Sequence, residues 1–421
     1  GVTINKFVTV GGETAGNDQT LVAETGEAIR YEVRVTNNGK EPITNLWISD
    51  TLPYAGDGRG SSWTPKLNSA VAISGAAGTV YYSNEAKNEN TVLAGHGATP
   101  PEGFSNGWSA SSMSILAIIP ELPAGGTVTL TYTCQAPSKE EADASETIYY
   151  YTAINNAYFN YNLGAINNSA DTMVTVMPDP VSLGDTVWID KNADGIQNDG
   201  DDLTPPDVTI TLTTYEEESG TSSSKTASLG QYVFTGLNPA TPQGGANASA
   251  RYDGNGDVDY TSLVGTTRFT YRLSATAPEG YRITEQYNGG SVPTVDAGGN
   301  TRGTDSNFDP ATGTTERFYL KADGVGDMTY DLGLIRTREL TITKKGDNAN
   351  NVAGAVFHVY GPYYQMPTGI SASDFVATIT TTANGSTTVF ENQDGYLNAY
   401  AYYVVVENSV PSPYSDDMFE V

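Results

Sequence analysis

Residues Asp190-Lys-Asn192-Ala-Asp194-Gly195-Ile196-Gln197-Asn198-Asp199-Gly200-Asp201 put oxygen-bearing side chains at loop positions 1, 3, 5, 9 and 12, with glycine at position 6. That is the ligand grammar of a calcium loop, in which carboxylates and amides wrap a hard cation and the glycine permits a sharp turn. An intracellular sensor would flank such a loop with helices. Here the lead-in Leu183-Gly-Asp-Thr-Val-Trp-Ile189 and the exit Asp207-Val-Thr-Ile-Thr-Leu212 are rich in β-branched and aromatic residues, so both read as strands. A cation loop slung between strands constrains the chain to a β-sandwich stiffened by metal.

The rest of the sequence agrees. Forty-five glycines, 21 prolines and 27 tyrosines describe short strands joined by many turns. Glu27–Thr36 alternates as a half-buried strand should, Asn37-Asn-Gly-Lys40 turns, and Ile43–Asp50 returns. Ile115–Pro120, Thr127–Thr133 and the Tyr-rich stretch Ile148–Asn160 continue the pattern, while Tyr54–Gly107 reads as a long decorated loop. Helical periodicity is almost absent, with Lys139–Glu146 the nearest thing to a helical turn. The class is all-β. At 421 residues the chain exceeds what one core serves. The proline pair in Val176-Met-Pro-Asp-Pro-Val181 and the basic stretch Leu332–Glu339 divide it into 1–178, 179–336 and 337–421.

The formal charge of −28 disfavours nucleic acid and anionic membranes and attracts divalent cations. Cys134 is the only cysteine, so no intramolecular disulfide forms, and its strand context marks it as a core residue. His96 and His358 are the only histidines, lie far apart, and neither neighbours an obvious nucleophile. No apolar run is long enough to span a membrane, and no signal peptide is seen; the expectation is a fragment of a longer precursor.

Several stretches resemble known families. Val33-Arg-Val-Thr-Asn-Asn-Gly39 with Ser49-Asp-Thr-Leu-Pro53 is similar to a repeat domain of bacterial surface proteins and to the isopeptide-forming domain of Gram-positive fimbrial proteins. Gly184–Gln197, Gly230-Gln-Tyr-Val-Phe-Thr-Gly-Leu237, Ala277-Pro-Glu-Gly-Tyr281 and Gly303-Thr-Asp-Ser-Asn-Phe-Asp309 resemble the calcium-binding B repeats of serine–aspartate-repeat adhesins. Leu340-Thr-Ile-Thr-Lys-Lys345, Ala353-Gly-Ala-Val-Phe357 and Tyr402-Tyr-Val-Val-Val-Glu407 look like a collagen-adhesin B-type, transthyretin-like domain. The resemblance implies three tandem Ig-like or transthyretin-like β-sandwiches, the last truncated at its final strand.

For the cation, Asp190, Asn192 and Asp194 supply side-chain oxygens and Ile196 a backbone carbonyl, with Asp201 where a bidentate glutamate is usual. Asn198 or Asp202 is the substitute if that shorter side chain falls short. Asp305, Asn307 and Asp309 repeat the alternation and match a further calcium-associated loop of the same family. Asp253-Gly-Asn255-Gly-Asp257-Val-Asp259 has the chemistry without the family context, and a glycine-rich hairpin tip explains it equally well. The expected role of Ca2+ is structural: it neutralises crowded carboxylates and closes floppy chain.

The resemblances imply two candidate isopeptide centres, set against a plain reading of Lys6 as a surface lysine, Asn155 as a turn asparagine and Lys344 as an unbonded strand-edge lysine. That chemistry needs a buried and therefore neutral lysine amine, an amide or acid carbonyl, and a carboxyl group that shuttles protons. In the first segment Lys6 stands at the lysine position, Asn155 at the acceptor position and Asp50 at the carboxyl position. Asn156 is the alternative acceptor, and since strand side chains alternate, only one of the two asparagines can face the core. In the third segment Lys344, eleven residues before Ala355, matches the lysine and Glu407 the acid. The family's acceptor lies well past that acid, and the sequence continues only fourteen residues to Val421, so the acceptor is expected to be missing.

The leading function is a non-catalytic adhesin or pilin-like stalk, extracellular and anchored to the cell wall. It would hold a host or matrix ligand, protein or glycan, with covalent attachment to wall or polymer through a missing C-terminal region. Trp63, Trp108 and the tyrosines of 149–161 offer either a recognition surface or the core of a large sandwich. The alternative is a glycan-binding or accessory module of a secreted carbohydrate-active protein. A hydrolase is disfavoured by the lack of a histidine cluster, a Gly-x-Ser-x-Gly elbow or a convincing carboxylate pair.

Overall fold

A computed structural model describes the chain apart from residues 96–98, 146, 201–202, 217–218, 240–268, 287–304, 316, 321–325, 347–348, 385, 390–396 and 413–421. It is nearly all β, the class that the alternating patterns imply. The chain divides into two compact units, one built on Gly1–Pro180 and one that begins at Val181.

The first unit runs through β1 (Val2–Val10), β2 (Glu13–Gly16), β3 (Thr20–Ala23), β4 (Ala28–Asn37) and β5 (Ile43–Thr51). Next come β6 (Lys66–Leu67), β7 (Ala72–Ser74), β8 (Thr79–Ser83), helix α1 (Glu89–Ala94), β9 (Ser114–Leu122) and β10 (Thr127–Gln135). Helix α2 (Lys139–Asp143), β11 (Thr152–Asn155), β12 (Tyr158–Tyr161), β13 (Asn167–Asn168) and β14 (Thr172–Val176) complete it. One sheet has the order β2-β1-β4-β10-β6, with β7 also on β10; a second is β11-β14-β3; a third is β13-β12-β5-β9-β8.

Strand β4 alternates buried and outward residues along its whole length, with Ile29, Tyr31, Val33 and Val35 inside. In β1 the buried set is Lys6, Val8 and Val10, so a lysine occupies a core position in phase with two valines. The region 54–107 is not the plain loop expected. Its Val80, Tyr81 and Tyr82 lie in β8 at a sheet edge, and α1 packs Val92 and Leu93 on Trp47 and Leu116. Helix α2 forms at the one helical stretch the sequence offered, closed by a Ser138/Glu141 capping box. Cys134 is buried in β10.

The second unit contains β15 (Val181–Ile189), β16 (Val208–Glu216), β17 (Ser219–Ala227), β18 (Gln231–Leu237), β19 (Phe269–Ala275), β20 (Tyr281–Ile283) and β21 (Gly326–Asp327). It continues with β22 (Leu332–Arg338), β23 (Leu340–Thr343), β24 (Val356–Tyr363), β25 (Phe375–Thr380), β26 (Ser386–Val389), β27 (Leu397–Asn398) and β28 (Tyr402–Ser409). Sheets β18-β15-β22-β20 and β17-β16-β19 carry the Val181-to-Arg338 part. β23-β26 and β25-β24-β28 carry the remainder around a core of Ala355, Phe357, Val359 and Ile379. Strand β22 runs through residue 336, and its last residues Thr337 and Arg338 pair with β27.

Candidate functional site

Three strands from three different sheets bring Lys6, Asp50 and Asn155 into one buried polar network. Lys6 projects from β1, Asp50 from β5, and Asn155 ends β11, where it pairs with Thr172. Lys6 Nζ lies 2.6 Å from Asp50 Oδ2, with side-chain exposures of 0% and 1%. Tyr132, on β10, donates its hydroxyl to the same oxygen at 2.6 Å and accepts from Asn155 Nδ2 at 3.2 Å. Asp50 Oδ1 is buried with no hydrogen-bond partner. Above the amine stand two rings: Lys6 Nζ is 5.1 Å from the centroid of Tyr31 and 5.8 Å from that of Tyr132.

Electrostatics tune this centre. Burial is the largest influence on the Lys6 ammonium; it outweighs the attraction of Asp50 and pushes the pKa down to about 8. The shift is toward the neutral amine, which is the nucleophilic form. Burial also pushes the Tyr31 and Tyr132 phenols well up, so both stay protonated, and Tyr132 donates to Asp50.

The two asparagines do not face opposite ways as alternation implies: both are buried, and Arg59 Nη1 donates to the Oδ1 of each at 3.4 Å. Asn155 is fully buried and joins the Lys6 network, whereas Asn156 turns its Nδ2 to Asp171 Oδ1 at 2.9 Å. Only the backbone carbonyl of Asn156 reaches Lys6, at 3.4 Å. Sequence reasoning missed Tyr31, Tyr132 and Arg59. The tyrosines were legible as inward positions of alternating strands. Arg59 was signalled only as a lone cation in the glycine-alternating stretch Gly56-Asp-Gly-Arg-Gly60.

In the second unit the loop after β15 folds around Asp190. Its buried carboxylate accepts from Gly195 N–H at 2.9 Å and from the Thr284 hydroxyl at 2.5 Å through Oδ2, leaving Oδ1 without a hydrogen bond. Gly195, at φ +75°, supplies the left-handed turn expected at position 6. Asp194 accepts from Ile196 N–H, Asn192 Nδ2 and Asn198 Nδ2, each within 2.9 Å. Asp199, unassigned from sequence, accepts the N–H groups of Lys191 and Asn192. Asp201 lies outside the described residues, as do Asp202 and the Asp253–Asp259 cluster.

Ile196 forms a backbone bridge with Asp305, so the two oxygen-rich segments are neighbours. Asn307 Oδ1 accepts from Asp331 N–H at 2.6 Å. Asp309 accepts the N–H groups of Ala311 and Thr312 in its own turn. Among the described residues no three His, Cys, Asp or Glu side chains are gathered as a metal cluster. The fit to a cation rests on the orphaned oxygen of Asp190 together with the Asn192, Asp194 and Asn198 oxygens and the Ile196 carbonyl. Asp331 also escaped sequence reading. Burial, then the charge of Asp185, pushes its carboxyl up to about 8, and its Oδ2 has no hydrogen bond.

In the third segment Lys344, just past β23, meets Glu407 of β28 at 2.7 Å and 2.9 Å. Glu407 is buried and Lys344 partly so. Residues 413–421 lie outside the described residues. Of the aromatic candidates, Trp63, Tyr149 and Tyr150 are core, while Trp108 and Tyr151 are exposed.

Residues 181–253 match the SdrD B-like domain family. A fibrinogen-binding protein of Staphylococcus epidermidis is 28% identical over 161 residues, 38% of this chain and 10% of that protein. The chain therefore spans about a tenth of the length of this relative. Among solved structures, the pilus backbone RrgB of Streptococcus pneumoniae aligns over 99% of this chain and 93% of its own, at 12% identity and TM-score 0.21. The major pilin BcpA of Bacillus cereus aligns over 79% and 70%, at 11% identity and TM-score 0.24. At such scores the topology described above stands on its own strand pairing. Residues 181–253 thus carry an SdrD B-like match, and 161 residues of the chain are similar to a fibrinogen-binding relative.

Proposed function

We propose that this chain is a load-bearing part of an extracellular, wall-attached surface protein, a non-catalytic adhesin or pilin-like stalk whose first unit is locked by a Lys6–Asn155 isopeptide bond. The observation that carries the reading is the wholly buried 2.6 Å Lys6–Asp50 pair, joined through Tyr132 to the Asn155 carboxamide. A lysine at a core position is costly unless it does chemistry or is paired, and here it is paired with a proton acceptor beside an electrophile.

The chemistry is internal and occurs once. Neutral Nζ attacks Cγ of Asn155, Asp50 takes a proton from the nitrogen, and returns it to the departing Nδ2, which leaves as ammonia. The product is a secondary amide joining β1 to β11. Intact-mass measurement tests this directly. The chain should weigh about 17 Da less than its sequence, as ammonia loss requires, and digestion should give one branched peptide containing Lys6 and Asn155. A mass equal to the sequence mass would remove the proposal.

Calcium belongs to the same reading. Asp190, Asn192, Asp194, Ile196 and Asn198 would hold it, with Asp201 closing the loop; bound there, it neutralises the carboxylates and ties the turn to β15. Lys344 and Glu407 form the amine–acid half of a second centre whose acceptor is not among the described residues. A host-protein ligand is supported by the likeness to the fibrinogen-binding relative, and surface-immobilised fibrinogen is the first ligand to test.

A further inference from the structure

We propose that Arg59 is the electrophilic partner in cross-link formation: its guanidinium polarises the Asn155 carbonyl and holds the negative charge that develops on Oδ1 when Lys6 attacks. This rests on the isopeptide reading above, and it assigns a role to a residue from the loop that sequence analysis treated as decoration.

The geometry is that of a cation fixed in place before any chemistry begins. Arg59 Nε donates to Asp57 Oδ2 at 2.9 Å, and its two terminal nitrogens donate to the Thr51 carbonyl at 3.0 Å each. Nη2 also reaches the Leu52 carbonyl at 3.2 Å. Asp57 is in turn oriented by the N–H groups of Tyr54, Arg59 and Ser61. Those anchors leave one edge of Nη1 facing Asn155 Oδ1 and Asn156 Oδ1, each at 3.4 Å. The side chain is only 12% exposed, so water screens the cation weakly.

Two effects follow from this position. A positive charge beside the buried amine disfavours its protonated form, and Arg59 is among the groups that lower the Lys6 pKa. The same charge stabilises the transition state. As the Nζ–Cγ bond forms, the carbonyl π pair moves onto Oδ1, against Nη1. Asp50 removes a proton from Nζ and delivers it to Nδ2; the carbonyl re-forms and ammonia departs. Atoms and charges balance as lysine amine plus carboxamide giving secondary amide plus ammonia, with no oxidant or cofactor. A donor aimed at developing charge in a dry site is worth about 10²- to 10³-fold in rate.

Arg59 also clamps the end of β5, and a purely structural role must be separated from the electrophilic one. Cell-free synthesis of the whole chain, stopped at timed intervals and analysed by intact mass, gives the rate of the 17 Da loss. Arg59→Met should slow it about 100-fold or more while near-UV circular dichroism stays native. Its rate-against-pH profile should rise at higher pH than in the wild type, and added guanidinium ion should restore part of the rate. Arg59→Lys, which keeps the charge, should fall between the two, and it carries the test if Arg59→Met fails to fold. Wild-type speed in either folded variant would overturn the assignment of Arg59 while leaving the cross-link standing. A wild-type chain with no 17 Da deficit would remove the cross-link and this role with it.

Discussion

Replacing Asn155 with alanine separates the cross-link from the ion pair, because Lys6, Asp50 and Tyr132 all remain. Lys6 and Asn155 are 149 positions apart. A covalent tie around a loop of that length removes denatured-chain entropy worth about 5 kcal/mol by the loop-closure relation for cross-links. The substitution also deletes the 3.4 Å contact from Arg59 Nη1 to Oδ1, which survives in the amide and is worth about 1 kcal/mol. For a unit of roughly 180 residues each kcal/mol moves the melting temperature by about 2–4 °C, so Asn155→Ala should melt about 12–24 °C below wild type. Asn156→Ala is the internal control. Its side-chain amide nitrogen bonds Asp171 and its side-chain carbonyl accepts from Arg59 without reaching Lys6, so the variant should keep the ammonia-loss mass and melt within about 8 °C of wild type, the cost of two lost hydrogen bonds. Differential scanning calorimetry with intact mass on the same samples reads both quantities. The reasoning fails if Asn155→Ala melts within about 3 °C of wild type, or if Asn156→Ala is the variant that retains its ammonia.

Asp50→Asn removes the proton carrier but keeps the shape of the site, so the purified variant should fold yet weigh its full sequence mass; a deficit of about 17 Da would mean that another group shuttles the proton. In chelator, the second unit should be more stable at pH 5 than at pH 8. Burial raises the Asp331, Asp190 and Asp185 carboxyls, so the folded state binds more protons than the unfolded chain, and stability is lost as pH climbs through about 8. A higher melting temperature at pH 8 than at pH 5 would contradict this. Calcium at millimolar concentration should raise the melting temperature of the second unit alone, and Asp190→Ala should abolish the rise; an equal shift in the first unit would point to a nonspecific charge effect.

Legibility followed periodicity. Strand β4 and its partners were readable because alternation fixes both the element and its buried face, and that phase also marks Lys6 as inward beside Val8 and Val10. Asn155 over Asn156 was a choice that alternation posed and only tertiary placement could answer, since nothing local says which residue of the pair meets Tyr132. Arg59 and Asp331 were illegible for another reason. Each owes its role to groups distant in sequence, Arg59 to Asn155 and Asp331 to Thr186, Asn307 and Asp305, and long-range burial leaves no periodic trace. The stretch 54–107 misled because its strands are short and edge-bound, so glycine and serine content outweighed the brief apolar run Val80-Tyr-Tyr82. Asn307 and Asp309 matched a ligand pattern by composition, and in the fold their oxygens accept backbone N–H groups, as those of Asn192 and Asp194 also do in the first loop.

The position of the proposed bond also fixes what tension can do to the first unit. Lys6 lies midway along the first strand, β1, and Asn155 ends a strand whose partner β14 closes the unit. With the two side chains joined, force applied at the ends passes from Lys6 to Asn155 through the amide and bypasses the chain between them. Only the residues before Lys6 and those after Asn155 can lengthen, and the latter are held by the pairing of β14 with β11 and β3. At about 3.6 Å per extended residue, the bypassed chain represents roughly 500 Å of contour length. Single-molecule stretching of the whole chain should therefore show a step of about that length in Asn155→Ala and none in wild type. A wild-type chain that released the full length would mean that tension runs through every strand, and a buried Lys6–Asp50 pair would then be no more than an expensive piece of packing.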